Sequence, residues 1–264
     1  MKTVGIIGGS GYTGGELLRL VVHHPSLKLD FVYSSTRPGT FIHETHQDLL
    51  GQFELKFTDQ INTDVDILFL CLGHGNSSKF LKNHTFSNST IIIDLSNDFR
   101  LKKDSKINER EFVYGLPEIN RTAIKKARSI ANPGCFATAI QLALLPLASR
   151  NKLNNAIHVN ATTGSTGAGV SSSATTHFSW RNNNLSWYKP FTHQHLGEVK
   201  ETLHQAQGKN TEIIFLPQRG NFTRGIFATA YTFFEENLDD AYEIYQEFYK
   251  NAPFTQVSKK ELHL

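Results

Sequence analysis

The chain has 264 residues, 39% of them hydrophobic, enough for one large domain or two ordinary ones with real apolar cores. Lys and Arg at 27 positions against Asp and Glu at 24 leave a net charge of +3, and with no basic run this excludes an electrostatic nucleic-acid footprint. The 2 cysteines, Cys71 and Cys135, fit neither a disulfide framework nor a zinc knuckle and indicate a reducing compartment, and no apolar run reaches signal-peptide or membrane-spanning length, so the expected location is the cytoplasm.

Residues 4–7 are a short β-branched run that stops at Gly8-Gly9-Ser10-Gly11-Tyr12-Thr13-Gly14, after which residues 16–22 have the apolar density of a buried helix. Strand, glycine turn and helix in that order, with Gly9-x-Gly11-x-x-Gly14 inside, match the dinucleotide fingerprint, in which a pyrophosphate lies on the helix N-terminus. Gly8, Ser10, Gly11, Tyr12, Thr13 and Gly14 are therefore expected to bind cofactor. A second strand at 29–33 ends without the acidic residue that would bond an NAD ribose; Ser34-Ser35-Thr36-Arg37 follows, and Ser34, Ser35 and Arg37 suit the 2′-phosphate of NADP, with NAD as the alternative.

Residues 40–63 are irregular, and His43, His46 and Asp48 there lack a further ligand pair at metal-site spacing, so no metal is expected. Residues 66–72 read as a buried parallel strand holding Cys71 in the core, and Gly73 and His74 open the loop at its carboxyl end, where open α/β sheets bind ligands. Another buried strand at 91–96 leads to Asn97-Asp98-Phe99-Arg100, whose guanidinium fork suits a phosphate or carboxylate. A last short strand precedes Asn132-Pro133-Gly134-Cys135 and an apolar helix to about Leu147, which puts Cys135 in the first helical turn, where the helix dipole favours a thiolate. The alternating elements of this half predict a doubly wound parallel sheet.

Beyond Leu147 the strands lengthen. Residues 157–163 form a strand entering the small-residue loop Gly164-Ser165-Thr166-Gly167-Ala168-Gly169, which suits an anion, and residues 181–186 read as a surface excursion. His193-Gln194-His195-Leu196-Gly197-Glu198 opens a helix; a zinc site is conceivable there, but an acid/base partner for the thiolate is the more economical use. Strands at 212–216 and 225–234 flank a loop at 218–224, and an amphipathic helix follows at 239–250.

Gly8 to Gly14, Asp94-Leu95-Ser96-Asn97-Asp98-Phe99-Arg100-Leu101, Tyr114-Gly115-Leu116-Pro117-Glu118, Asn132-Pro133-Gly134-Cys135, Thr163 to Gly169 and His193-Gln194-His195 together resemble the N-acetyl-gamma-glutamyl-phosphate reductases, relatives of aspartate-semialdehyde dehydrogenase. The resemblance implies an α/β chain with a Rossmann-type NADP-binding domain at 1–134 and an α+β catalytic and oligomerisation domain at 135–264. It implies NADPH-dependent reduction of an acyl phosphate, Cys135 as nucleophile, His193 or His195 as acid/base, Arg100 beside the phosphoryl group, and a homo-oligomer acting on a small molecule; charge and loop position further lead us to expect Glu198 to orient the acting histidine and Asn132, Thr163 and Thr166 to complete a phosphate cradle with Arg100. The chain departs from the usual His-Arg-His-x-Pro-Glu at Gln194 and Gly197, and from the usual serine-glycine loop at Thr163 and Thr166. Family members go on to a Lys-Gly-Ala-x-Gly-Gln-Ala-like segment that nothing after Phe234 matches, so the resemblance reads the chain as lacking it. Reduction of aspartyl or aminoadipyl phosphate, and a non-catalytic NADP-binding protein, are the alternatives.

Overall fold

The computed structural model describes residues 1–260. The chain divides into two compact units, one made of residues 1–115, 120–133 and 169–171, the other of 116–119, 134–168 and 172 onward.

In the first unit β1 (Lys2–Ile7), α1 (Tyr12–Val22), β2 (Leu27–Tyr33), β3 (Ile67–Leu70), α2 (Asn76–Asn83) and β4 (Ile91–Asp94) are followed by the hairpin β5 (Lys106–Ile107) and β6 (Arg110–Glu111), then by β7 (Val113–Tyr114), α3 (Pro117–Lys126), whose first three residues count with the second unit, and β8 (Ser129–Ala131). Six strands form one parallel sheet in the order β2-β1-β3-β4-β8-β7. The apolar runs are continuous because both faces of this sheet are covered. Val4, Ile6 and Val32 pack with Leu18 and Val21 of α1, while Ile7, Leu68, Leu70 and Ile92 pack with Leu81 of α2. This is the doubly wound α/β arrangement expected from the alternation of elements. The irregular stretch after β2 contains only two 3₁₀ turns, Ile42–Glu44 and Gln47–Leu49, and it contributes Ile42, Leu49 and Phe57 to the α1 side of the core.

The second unit is α+β. It contains α4 (Cys135–Ala148), β9 (Ile157–Thr163), α5 (Phe178–Arg181), β10 (Ser186–Trp187), α6 (His195–Gln207), β11 (Ile213–Arg219), β12 (Ile226–Tyr231) and α7 (Leu238–Tyr249). Its sheet runs β10-β11-β9-β12, with β11 parallel to β9 and both edge strands antiparallel to their neighbours. α4 is apolar nearly all round because its side chains are buried on most sides, Phe136, Ile140, Leu144 and Leu145 among them. Pro146 sits inside α4 and has no N–H to give Leu142, four residues earlier. The Tyr249 hydroxyl of α7 donates to that Leu142 carbonyl at 2.5 Å, and the Tyr245 hydroxyl donates to the Ala143 carbonyl. Tyr249 of the amphipathic α7 thus satisfies the one carbonyl that the helix-interior proline leaves without its helical donor.

Two local expectations need correction. Gln218 and Arg219 belong to β11 rather than to a loop, because their backbones pair with Thr162 and Thr163 of β9. Residues 181–186 are not a simple surface excursion: Arg181 is buried at 6% exposure, and its guanidinium donates to the carbonyls of Thr175, Asn184 and Arg219 and to the Ser186 hydroxyl. No helix among the described residues is long and apolar enough to cross a membrane.

Gly14 is the tightest point of the first turn of α1. A Cβ there would stand 2.7 Å from Gly9 Cα and 2.8 Å from the Gly8 carbonyl oxygen, both backbone atoms that cannot rotate away. Gly14→Ala is therefore expected to destabilise the chain by about 1–3 kcal/mol, the usual range for overpacking. Urea denaturation reads this directly, and a midpoint equal to that of the wild type would contradict it.

Candidate active site

The residues expected at the dinucleotide turn form one continuous feature. β1 ends at Ile7, Gly8 and Gly9 both donate to the Tyr33 carbonyl, and α1 begins at Tyr12 with Gly11 as its N-cap and no side chain capping it. The first N–H groups of α1 therefore point at whatever lies beyond the turn. Gly11 has only the Gly8 carbonyl, at 3.8 Å, near the position of a Cβ, so backbone and open space meet there as a pyrophosphate requires. Tyr12 and Thr13 are exposed and Gly14 is buried. These features fit a dinucleotide.

The next residues divide. Ser35 and Arg37 are exposed at the end of β2, where a ribose 2′-phosphate would be read, whereas Ser34 is buried at 3% exposure. The Ser34 hydroxyl is hydrogen-bonded to the Ser10 hydroxyl at 3.0 Å and to that of Thr36 at 3.3 Å. Ser34 ties the two loops together, and the outward-facing contacts are left to Ser35 and Arg37. After β3, Gly73 and His74 are exposed, and His74 Nδ1 accepts the Asn97 N–H. The N-terminus of α2 is closed to anions because Asp98 accepts the N–H groups of Gly75 and Ser78, at 2.6 and 2.9 Å.

Arg100 is nearly buried, at 6% exposure, and gives its Nε–H to the Asn132 carbonyl at 2.8 Å and an Nη2 hydrogen to the Leu95 carbonyl at 2.9 Å. It ties the backbone at Asn132, where the Asn-Pro-Gly turn begins, to the end of β4. The Asn132 side chain is exposed above that turn, its amide donating to the Pro133 carbonyl. Burial pushes the Cys71 thiol up to about 12, reinforced by the Asp94 charge, so Cys71 is an inert core thiol.

In the second unit Cys135 is the first residue of α4 and is exposed, while Gly134 and Phe136 on either side are buried. A sulfur presented to solvent at a helix N-terminus is the opposite of a core cysteine. The Glu198 carboxylate, buried at 4% exposure, accepts the Gly134 N–H at 2.9 Å. Glu198 thus holds the turn that carries Cys135. His195 is the first residue of α6, and its ring lies so close that a Cβ on Gly134 would be 2.5 Å from Nε2. Residue 134 must be glycine because an imidazole occupies the side-chain position.

His193 stands behind His195, with ring centroids 4.6 Å apart and planes at 73°. Its Nδ1 accepts the His195 N–H at 3.2 Å, so its ring proton resides on Nε2. Burial, with the Lys189 charge, lowers its pKa to about 4 and keeps the ring neutral. Phe136 packs edge-on against both rings, 5.3 Å from His193 and 6.3 Å from His195. Thr163 is buried at the end of β9, and the Thr166 hydroxyl donates to the Thr223 carbonyl at 2.6 Å. Sequence reasoning missed Arg219, whose guanidinium lies 4.5 Å over the Tyr188 ring; the Tyr188 hydroxyl is raised mainly by burial, and the Cys135 charge adds to that. The only signal was a lone arginine after a Pro-Gln, which carries no local pattern. Among the described residues no group of three or more His, Cys, Asp or Glu could hold a metal ion.

Comparison with known proteins places these features in context. The family of semialdehyde dehydrogenase NAD-binding domains matches residues 3–127, and that of semialdehyde dehydrogenase dimerisation domains matches residues 135–264. The N-acetyl-gamma-glutamyl-phosphate reductase of Flavobacterium johnsoniae is 58% identical over 100% of this chain and 82% of its own length. The chain belongs to the N-acetyl-gamma-glutamyl-phosphate reductase family. The reductase of the same name from Christiangramia forsetii is 56% identical over 100% of this chain and 81% of its own length. Among solved structures, aspartate semialdehyde dehydrogenase II of Vibrio cholerae shares the fold with a TM-score of 0.69 at 15% identity, over 96% of this chain and 80% of that one. The Candida albicans aspartate semialdehyde dehydrogenase, solved with NADP, gives a TM-score of 0.63 at 13% identity over 92% of this chain and 75% of that one.

The depressed His193 pKa has a stability consequence. A neutral ring that titrates near 4 when folded and near 6.5 when unfolded contributes stability that is fully present above about pH 6.5 and lost as the pH falls toward 4. His193→Gln should therefore flatten the fall in urea-denaturation midpoint between pH 7 and pH 4.5. A slope as steep as that of the wild type would contradict the assignment of His193 as a buried neutral group.

Proposed function

We propose that the protein reduces N-acetyl-gamma-glutamyl phosphate to the semialdehyde and phosphate with NADPH, through a thioester on Cys135. The observation that carries this reading is the exposed Cys135 at the first position of α4, directly after a glycine against which a buried imidazole is packed. Residues 1–134 supply the cofactor domain and residues 135–264 the catalytic one.

The Cys135 sulfur forms a bond to the acyl carbon as the carbon–oxygen bond to phosphate breaks, leaving a thioester. NADPH, when bound, supplies the hydride that converts this thioester carbonyl to a thiohemiacetal. Breaking of its carbon–sulfur bond releases the aldehyde and restores the cysteine. His195 is the acid/base group: it takes the thiol proton as sulfur attacks and later holds the proton at the substrate oxygen. His193, neutral and accepting the His195 N–H, fixes the start of α6 and supports the His195 ring without moving a proton itself. Glu198 positions the turn by accepting the Gly134 N–H, and so acts through the backbone that carries Cys135.

Arg100 acts on phosphate through the turn it braces, with Asn132, Thr163 and Thr166 as the further groups of the cradle. Ser35 and Arg37 read the 2′-phosphate of NADP, and Gly73 and His74 border the cofactor. The chain acts as a homo-oligomer in the cytoplasm. Phe227 and Tyr231 of β12 are 60% and 61% exposed, and Phe233 beyond it is 66% exposed, which leaves aromatic surface on the four-stranded sheet that a second copy would cover.

The test runs the reaction in reverse, following NADPH formation from N-acetylglutamate semialdehyde, phosphate and NADP. Wild-type protein is expected to turn over, and Cys135→Ser to lose at least ~10³-fold in kcat with NADPH affinity unchanged, because an alcohol is a far weaker nucleophile than a thiol at neutral pH. Wild-type activity that survives in Cys135→Ser would refute the thioester route.

A further inference from the structure

The sequence set His46 apart, beside His43 and Asp48, and the chemistry above leaves it unused. It is buried at 7% exposure, with its Nε2 2.9 Å from the Gly9 carbonyl oxygen in the dinucleotide turn. A carbonyl can only accept, so Nε2 carries the ring proton and donates it. Burial lowers the pKa of His46 and keeps the imidazole neutral.

The ring is wedged in place. A Cβ on Gly15 of α1 would stand 2.6 Å from its Cε1, so the ring rests directly against the helix where only a glycine lets it approach. Phe57 meets it edge-on at 6.4 Å. Arg19 of α1 pairs with Asp48, two residues after His46, through Nε–Oδ2 at 2.6 Å and Nη2–Oδ1 at 2.8 Å, pinning the 3₁₀ turn to the helix. Three independent contacts therefore aim one N–H at one backbone oxygen.

That oxygen belongs to the peptide joining Gly9 to Ser10. In a planar trans peptide the C=O and the following N–H point in opposite directions. Holding the Gly9 carbonyl toward His46 consequently turns the Ser10 N–H away from the core. The Ser10 N–H has no hydrogen-bond partner among the described residues, and the Ser10 hydroxyl is engaged with Ser34.

We propose that His46 is a cofactor-positioning residue: by fixing the Gly9–Ser10 peptide it orients the Ser10 N–H as a donor to the pyrophosphate of the dinucleotide. This rests on the reading of Gly8 to Gly14 as the NADP(H) turn. His46 touches no cofactor atom; it acts through the backbone.

The test measures binding rather than turnover. His46→Phe and His46→Met fill the space without a donor, and His46→Gln returns an N–H at a similar reach. NADPH affinity is read from nicotinamide fluorescence, and adenosine 2′-phosphate, which lacks the pyrophosphate, is read by calorimetry. The Phe and Met variants are expected to bind NADPH about tenfold more weakly and the Gln variant within about threefold of wild type, with adenosine 2′-phosphate bound equally by all. Unchanged NADPH affinity in both donor-free variants would overturn the proposal, as would parallel loss of both ligands, which marks a general structural role. Wild-type protein that binds adenosine 2′-phosphate but not NADPH would instead fail the cofactor reading of the turn.

Discussion

The constraint on which the second unit depends is the crowding at Gly134. One side of this residue gives its N–H to a buried carboxylate, and the space where its side chain would project holds the His195 ring. Any larger residue would expel the imidazole, and any movement of the turn would leave Glu198 buried without the donor it faces, which is costly in a low-dielectric interior. The exposed sulfur of Cys135 is consequently held by its predecessor rather than by its own side chain. The same logic runs outward, since His193 stays neutral under burial and accepts the backbone N–H of His195. His195, His193 and the turn that carries Cys135 are fixed by two hydrogen bonds and one close contact.

The cofactor unit solves a different problem. With a net charge of only +3 the chain has no general field for drawing in a polyanion, so the donors must be placed one by one. It does this with backbone: an uncapped helix start after a glycine turn, and a neighbouring helix start already occupied by Asp98. Of the two helix N-termini at this rim, only that of α1 is left for phosphate. Backbone donors need something to aim them, and His46 supplies this for one peptide.

Much of this was legible in the sequence because it is periodic or local. The Gly8 to Gly14 turn, the continuous apolar runs of β3 and β4 and the apolar helix after Cys135 are each written within a dozen residues. What was not legible depends on partners distant in sequence. Glu198 lies 64 residues from Gly134 and His46 lies 37 from Gly9, and nothing in either local pattern names the partner. Ser34 looked like a phosphate ligand by position but turns inward to Ser10, and Arg100 looked like a free fork but spends donors on two carbonyls. In both cases burial, which no short stretch reports, decided where the polar atoms went. Arg181 shows the same limit, since an asparagine-rich neighbourhood concealed a buried cation hydrogen-bonded to carbonyls.

The central claim is that the acyl group passes onto Cys135 and not onto any other side chain. Mixing the protein with N-acetyl-gamma-glutamyl phosphate in the absence of NADPH, quenching in acid and mapping the digest by mass spectrometry addresses this directly. The account predicts one N-acetylglutamyl adduct, on the peptide containing Cys135, that hydroxylamine removes and that NADPH added before the quench discharges. An adduct on Cys71 or a histidine, or steady turnover with no adduct on Cys135, would contradict it.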